Sequence, residues 1–217
     1  MTAASLEAKA EFLFRLRSRG IRDLAVLRAM ESVPRQVFVP HRYADLAAKD
    51  VALPLPCGQT MSSPFLVARM MEALEVGPEC RVFEIGSGSG YATAILARLG
   101  KEVLGVERFR TLAQGARTRV AALDLPHATI VWGDGLAVPA DRGPFDRILV
   151  HGELPDVPAE LDDLLADDGI IVFARRPEQG ARQDLVQARR SGDGGWSIVA
   201  VVTSRLRPLY DGASRGL

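Results

Sequence analysis

The sequence is short of the residues that build metal sites and disulfide frameworks. Its two cysteines, Cys57 and Cys80, lie far apart, and its three histidines, His41, His127 and His151, are equally scattered. Neither ligand spacing nor a disulfide pairing emerges, and no metal is expected. The chain also lacks an excess of either charge, with 27 lysines and arginines against 27 aspartates and glutamates. Without a global field to draw a polyanion or an anionic lipid surface, neither nucleic acid nor membrane is an expected partner. The N-terminal stretch lacks the uninterrupted apolar block that a signal peptide or membrane span needs, because Glu7, Lys9, Glu11, Arg15, Arg17 and Arg19 cut through it. A cytoplasmic location is therefore expected. Internal repeats and low-complexity tracts are missing too.

What is present is 217 residues with 47% hydrophobic content, enough to bury one sizeable core. We expect one domain over 1–217, with helices and a loop over 1–64 and the main sheet over 65–217. Leu6, Ala10, Leu13 and Leu16 recur at helical spacing, and Leu24, Leu27 and Met30 repeat the pattern after Gly20. Two short amphipathic helices follow from this, the second ending at Val33-Pro34. Over 39–64 the prolines Pro40, Pro54, Pro56 and Pro64, with Gly58, break both helix and ladder and predict a long structured loop.

Beyond Pro64 a helix over 65–74 leads into alternating elements. Strands are predicted over 81–85, 102–106, 129–132, 147–150 and 170–173, with helices over 92–99 and 109–123. Repeated βα units predict an α/β fold with a Rossmann-like, doubly wound, mostly parallel sheet. At the end of the chain, 185–188 and 197–203 flank Ser191-Gly192-Asp193-Gly194-Gly195, as in a β-hairpin.

The local chemistry concentrates at three strand ends. Glu84-Ile85-Gly86-Ser87-Gly88-Ser89-Gly90 reads E-x-G-x-G-x-G between a strand and a helix. Glycines there let a ligand approach the backbone, and the helix N-terminus offers free N–H groups. A dinucleotide site has G-x-G-x-x-G and seats a pyrophosphate. Here an acidic residue sits inside the strand end, which favours S-adenosylmethionine, whose methionine part carries an ammonium and a sulfonium that Glu84 offsets. The second strand ends at Glu107-Arg108, where a carboxylate can accept both ribose hydroxyls. The third ends at Asp134-Gly135, where Asp134 can accept from the adenine amino group or be a plain turn residue. After the fourth strand, 150–155 lacks the Asn/Asp-Pro-Pro-Tyr/Phe run of enzymes that methylate amino nitrogens, which points to another acceptor.

At these residues the chain resembles the protein-L-isoaspartate O-methyltransferase family. The resemblance rests on Val33-Pro34-Arg35, Phe38-Val39-Pro40, Ala52-Leu53-Pro54, Gly58-Gln59-Thr60-Met61-Ser62 with Pro64, the glycine loop to Tyr91, Gly133-Asp134-Gly135 and Pro144-Phe145-Asp146-Arg147-Ile148. The Gln-Thr-Ile/Met-Ser element is specific to that family. The resemblance implies methylation of the free carboxylate of isoaspartyl residues, with Ser62 between cofactor and substrate and Gln59, Thr60 and Met61 beside the cofactor. Cofactor contacts are implied at Glu84, Gly86, Ser87, Gly88, Ser89, Gly90, Glu107, Arg108, Asp134 and Gly135. The plainer role for Ser62 is a helix N-cap. A carboxylate acceptor is already ionised at neutral pH and needs no general base, so alignment should dominate.

The departures from the family pattern cluster where substrate should bind. Ala48 replaces a tyrosine, His151-Gly152-Glu153-Leu154 replaces a small Thr/Gly-Ala-Ala run, Ala174-Arg175-Arg176 replaces Pro-Val-Gly, and Leu206-Arg207-Pro208-Leu209 replaces Phe-Val-Pro-Leu. His151 reads as a hydrogen-bonded structural residue. Arg175-Arg176 and Arg189-Arg190 read as solvated faces or as a surface for an acidic peptide. Two further readings stay open on the sequence: a carboxyl methyltransferase dedicated to one peptide partner, and a module that binds cofactor or peptide without turnover. A monomer or weak oligomer is expected.

Overall fold

The computed structural model describes residues 3–178, 180–192 and 194–214, with the backbone alone over 3–6. The side chain of Leu6 and Asp193 of the hairpin turn thus lie outside the described residues. Helices α1 (Ala3–Ser18) and α2 (Leu24–Ser32) form where the apolar spacing places them. Asp23 caps α2, its Oδ1 accepting from the amides of Ala25 and Val26 at 2.7 and 3.0 Å. The buried stripe differs from the predicted one. Among the described side chains of α1 only that of Leu16 is buried, and in α2 the buried arc runs through Val26, Leu27, Ala29 and Met30. Leu24 lies about 140° round the helix from the centre of that arc at 3.6 residues per turn, and it is exposed.

The proline-rich stretch that follows does hold a ladder. Strand β1 (Leu53–Pro54) pairs antiparallel with β2 (Thr60–Met61) around a tight turn, closed by the amide of Leu55 donating to the Gln59 carbonyl at 2.8 Å. Pro54 is tolerated because a two-residue edge ladder leaves one side unpaired. Helix α3 (Pro64–Leu74) begins with Pro64 in its first turn, and its cap is Ser63, whose Oγ accepts from the Leu66 amide at 3.4 Å. Asp50 Oδ1 takes the Phe65 amide at 2.8 Å. The capping role read for Ser62 therefore belongs to its neighbour.

The sheet then builds through β3 (Arg81–Ile85), α4 (Tyr91–Leu99), β4 (Glu102–Glu107), α5 (Arg110–Ala121), β5 (Ala128–Trp132), β6 (Phe145–Glu153), α6 (Ala159–Asp162), β7 (Leu165–Arg175), β8 (Asp184–Arg190) and β9 (Trp196–Thr203). Its seven strands run in the order β5-β4-β3-β6-β7-β8-β9. The first five are mutually parallel, and β8 and β9 add antiparallel at the edge. This is the Rossmann-like α/β sheet that the sequence predicts. Strands β6 and β7 extend beyond 147–150 and 170–173 through flanks that mix buried apolar residues, Phe145 and Leu165, with polar ones, so the continuous apolar runs mark only their centres.

Period-two alternation sorts the core into two layers. Val82, Val103, Leu149, Val172 and Leu185 face helices α1 to α5. Phe83, Leu104, Ile148, Ile171 and Val186 face the other way, under α6 and the turns carrying Leu136 and Val157. Among the described residues no helix is long and apolar enough to cross a membrane.

Candidate active site

A cavity of about 570 Å³ opens at the carboxyl ends of β3, β4 and β6, the place where open α/β sheets bind ligands. Its floor is the turn between β3 and α4. Gly86, Gly88 and Gly90 have φ of +85°, +55° and +87°, values that side chains rarely adopt. At Gly90 a Cβ would also stand 3.1 Å from the Cβ of Ala116 and 3.3 Å from its Cα, so the loop seats α4 against α5. Gly86, Ser87, Gly88 and Ser89 line the cavity, and Gly90 stands just behind them.

Two buried carboxylates lie at this floor. Glu107 is 4% exposed, and its oxygens accept from the amides of Gly88 at 2.8 Å and Phe109 at 2.9 Å. Burial pushes its carboxyl above the ordinary value, and those two amides offset part of that rise. Glu107 and Arg108 both line the cavity. Glu84 is fully buried and stands behind the wall. Its Oε2 accepts from Ser87 Oγ at 2.9 Å and from Thr93 Oγ1, and its Oε1 accepts from His151 Nε2 at 2.9 Å. Gly105, directly opposite Glu84 on β4, makes this cluster possible: a Cβ there would meet Ser87 Oγ at 2.4 Å. Nothing in the local sequence around Gly105 signals that role.

The opposite wall is the β1–β2 turn. Gln59, Thr60, Met61 and Ser62 all line the cavity, and Gln59 Nε2 donates to the Cys57 carbonyl at 3.1 Å. With capping assigned to Ser63, no hydrogen bond is recorded for the Ser62 hydroxyl among the described residues. The backbone of this wall is held by Arg35, which is 4% exposed. Its Nη1 donates to the carbonyls of Ala47 and Lys49 at 3.0 and 3.1 Å, and its Nη2 to those of Val51 and Ser62 at 2.9 and 3.2 Å. Sequence reasoning quotes Arg35 within a motif but does not find this clasp, since its partners lie 12 to 27 residues away.

The third wall is a strap over 205–214. The Glu153 amide donates to the Arg207 carbonyl at 2.8 Å, and the Leu209 amide returns to the Glu153 carbonyl at 3.0 Å. Farther on, the Gly212 amide donates to Asp134 Oδ2 at 2.6 Å and the Ser214 amide to the Arg108 carbonyl at 2.8 Å. Asp134 Oδ1 meanwhile accepts from the Leu136 amide at 2.9 Å. Asp134 and Gly135 thus stand at the sheet edge as predicted but outside the cavity lining, with the strap between.

Two of the sequence departures prove to be partners. Arg176 Nε donates to Glu153 Oε1 at 3.0 Å, and Gln183 Nε2 donates to Oε2 at 2.5 Å and to the Leu206 carbonyl at 3.0 Å. Glu153 therefore braces the strap and does not line the cavity. The other arginines of the two basic pairs are likewise engaged: Arg175 with Asp156, Arg189 with Glu75 and Arg190 with Asp162. The bond from Arg176 holds the Glu153 carboxyl below its ordinary value. For a carboxyl lowered in the folded state, the stabilisation is present above about pH 4.3 and is lost as pH falls through the lowered value. We expect Arg176→Met to speed amide hydrogen exchange at Glu153 and Leu209 without changing α4. Equal exchange in both proteins would mean that the ion pair does not hold the strap.

Comparison with known proteins extends the likeness to nearly the whole chain. Residues 7–214 match the family model described as protein-L-isoaspartate (D-aspartate) O-methyltransferase. A Rhodopseudomonas palustris protein (strain HaA2) named protein-L-isoaspartate O-methyltransferase 2 is 47% identical, over 95% of this chain and 94% of its own length. A protein-L-isoaspartate O-methyltransferase from strain BisB18 is 48% identical over 96% of each chain. A solved Plasmodium falciparum structure, named as a protein-L-isoaspartate O-methyltransferase in complex with S-adenosyl-L-homocysteine, shares the fold. Its TM-score is 0.78 at 24% identity, over 92% of this chain and 97% of that one. Since the matched span takes in the glycine loop, the Gln59-to-Ser62 turn and the whole strap, this chain belongs to the protein-L-isoaspartate (D-aspartate) O-methyltransferase family.

Proposed function

We propose that the chain transfers a methyl group from S-adenosylmethionine to the free carboxylate of L-isoaspartyl residues in damaged proteins and peptides. The observation that carries this reading is one cavity lined both by the glycine loop with Glu107 and by the family-specific Gln59-to-Ser62 turn. The floor suits the cofactor. Glycines admit a ligand to the backbone, and two buried carboxylates favour a ligand bearing cationic groups. In this reading Glu107 accepts the ribose hydroxyls, Gly86 to Ser89 lie along the methionine part, and Asp134 with Gly135 bounds the adenine end through the strap that Asp134 holds at Gly212. S-adenosylmethionine supplies a methyl carried on a sulfonium, and S-adenosyl-L-homocysteine is the product.

The protein's own task is alignment and exclusion of water. The acceptor carboxylate is an ionised nucleophile at neutral pH, so no side chain has to remove a proton. Ser62, with its hydroxyl free of the helix cap, donates to that carboxylate and fixes its line of attack. The β1–β2 turn and the strap close over the site. The neighbouring backbone nitrogen attacks the ester carbonyl and expels methanol, forming a succinimide that water opens partly to normal aspartate. The 217 residues act as one domain, as a monomer or weak oligomer in the cytoplasm, without nucleic acid or membrane partners.

Ser62→Ala should lower turnover by the equivalent of about 1–3 kcal/mol while leaving cofactor affinity within a few-fold. Unchanged kcat would remove Ser62 from the site. The reading as a whole is tested by transfer of labelled methyl to an isoaspartyl peptide beside its normal-aspartyl twin, counted as base-labile ester. Methylation of the isoaspartyl peptide alone is the expected result. Methylation of neither, with cofactor still bound, would overturn it. The pairing of Glu153 with Arg176 away from the cavity weakens the case for a dedicated peptide partner, because that case drew on those two segments.

A further inference from the structure

His151 occupies a position that the mechanism does not use, and its surroundings are specific. It projects from β6 over the glycine loop, its Cβ 3.3 Å from where a Cβ at Gly86 would sit. Its Nε2 lies 2.9 Å from Glu84 Oε1. An ionised carboxylate only accepts, so Nε2 carries the hydrogen. Nδ1 is left as the ring's other polar atom. It makes no recorded hydrogen bond and is not among the buried unsatisfied atoms, while His151 itself lines the cavity. The ring is thus the layer between Glu84, which has no exposure of its own, and the ligand space.

The charges around the ring decide what Nδ1 receives. On β3 it meets Glu84, and Glu107 on β4 lines the same cavity. Among the described residues no lysine or arginine forms an ion pair with either carboxylate. Arg108, Arg205 and Arg207 line the same cavity; Arg205 and Arg207 are exposed and Arg108 is part-buried. The β1–β2 turn contributes no titratable side chain to the lining. Next along β6, Glu153 is occupied by Arg176. Glu84, in direct contact with the ring and paired with no lysine or arginine among the described residues, favours a cation over the acceptor carboxylate at Nδ1.

We propose that His151 is a positioning residue that presents the charge of Glu84 to the α-ammonium of the cofactor. A neutral imidazole gives Nε2–H to Glu84 and accepts the ammonium hydrogen at Nδ1. This rests on the reading of the cavity as an S-adenosylmethionine site. It explains how Glu84 acts on a ligand that it does not touch.

The test compares S-adenosyl-L-homocysteine with 5′-methylthioadenosine, which keeps the adenosine and lacks the amino-acid part, by calorimetric titration at neutral pH. Contributions from Glu107 affect both ligands, so the ratio of the two affinities isolates His151. In His151→Phe, S-adenosyl-L-homocysteine should bind about 10- to 100-fold more weakly, the size of one charge-assisted hydrogen bond, with methylthioadenosine unchanged. His151→Gln, which retains a donor for Glu84 and an acceptor for the ligand, should recover most of that affinity. Equal losses for both ligands in His151→Phe, or no recovery in His151→Gln, would overturn the proposal. Failure of wild-type protein to bind S-adenosyl-L-homocysteine at all would overturn the cofactor reading, which is a different result.

Discussion

Arg35→Met should be the most damaging single change away from the cofactor floor, lowering the unfolding free energy by about 3–5 kcal/mol. Four backbone carbonyls depend on the one guanidinium. A buried carbonyl left without a donor costs about 1–3 kcal/mol, and water reaching the loosened loop keeps the four losses from adding in full. Burial lowers the pKa of Arg35, which is the cost of holding a cation there; removing the charge returns part of that cost and is included in the range. Because one of the four carbonyls is that of Ser62, methyl transfer should fall further than unfolding accounts for, measured where the variant is still folded. Arg35→Lys should recover only a fraction, since a compact ammonium cannot span the carbonyls that a planar fork reaches. Urea unfolding and single-turnover methyl transfer check both points. A loss under about 1 kcal/mol would mean that the clasp is incidental.

Glu107→Gln is the second large effect, felt in binding rather than folding. Both Glu107 oxygens already accept backbone amides from Gly88 and Phe109, and each retains a lone pair for a ribose hydroxyl. The glutamine amide replaces one acceptor with donors that face an N–H. We expect affinity for S-adenosyl-L-homocysteine to fall by about 1–3 kcal/mol, roughly 5- to 150-fold in Kd. The pH dependence has a definite sign. Burial raises the Glu107 pKa, so the carboxyl protonates at a higher pH than an exposed glutamate, and it is the ionised form that accepts hydroxyls. Wild-type affinity for adenosine-bearing ligands, methylthioadenosine included, should therefore weaken as pH falls toward that raised value. In Glu107→Gln this component disappears. An unchanged Kd in the variant would displace the ribose from this carboxylate.

The features legible in the sequence are those written in consecutive residues. Buried parallel strands are short apolar runs, so the centres of β3, β4, β6 and β7 stand out, and the glycine loop announces its turn through residue types alone. The strand ends do not, because Leu165 to Gly169 carries two aspartates and reads as a loop although it continues β7. Ser62 and Ser63 are equally good caps by residue type, and only the path of the backbone decides between them. Asp134 is a predicted strand-end acceptor, yet one of its oxygens is taken by an amide 78 residues on. The Arg35 clasp, the space at Gly105 and the strap likewise depend on partners distant in sequence, which local patterning does not contain.

The brace at Glu153 ties the history of two segments together. Glu153 and Arg176 each replace a small or apolar family residue, and either substitution alone leaves a half-buried charge facing Gln183 and the strap without its counter-ion. If the two charges were acquired one at a time, the first would stand unpaired until the second relieved it. Positions 153 and 176 should therefore vary together among relatives, with a strap-binding side chain at 183 kept wherever both charges occur.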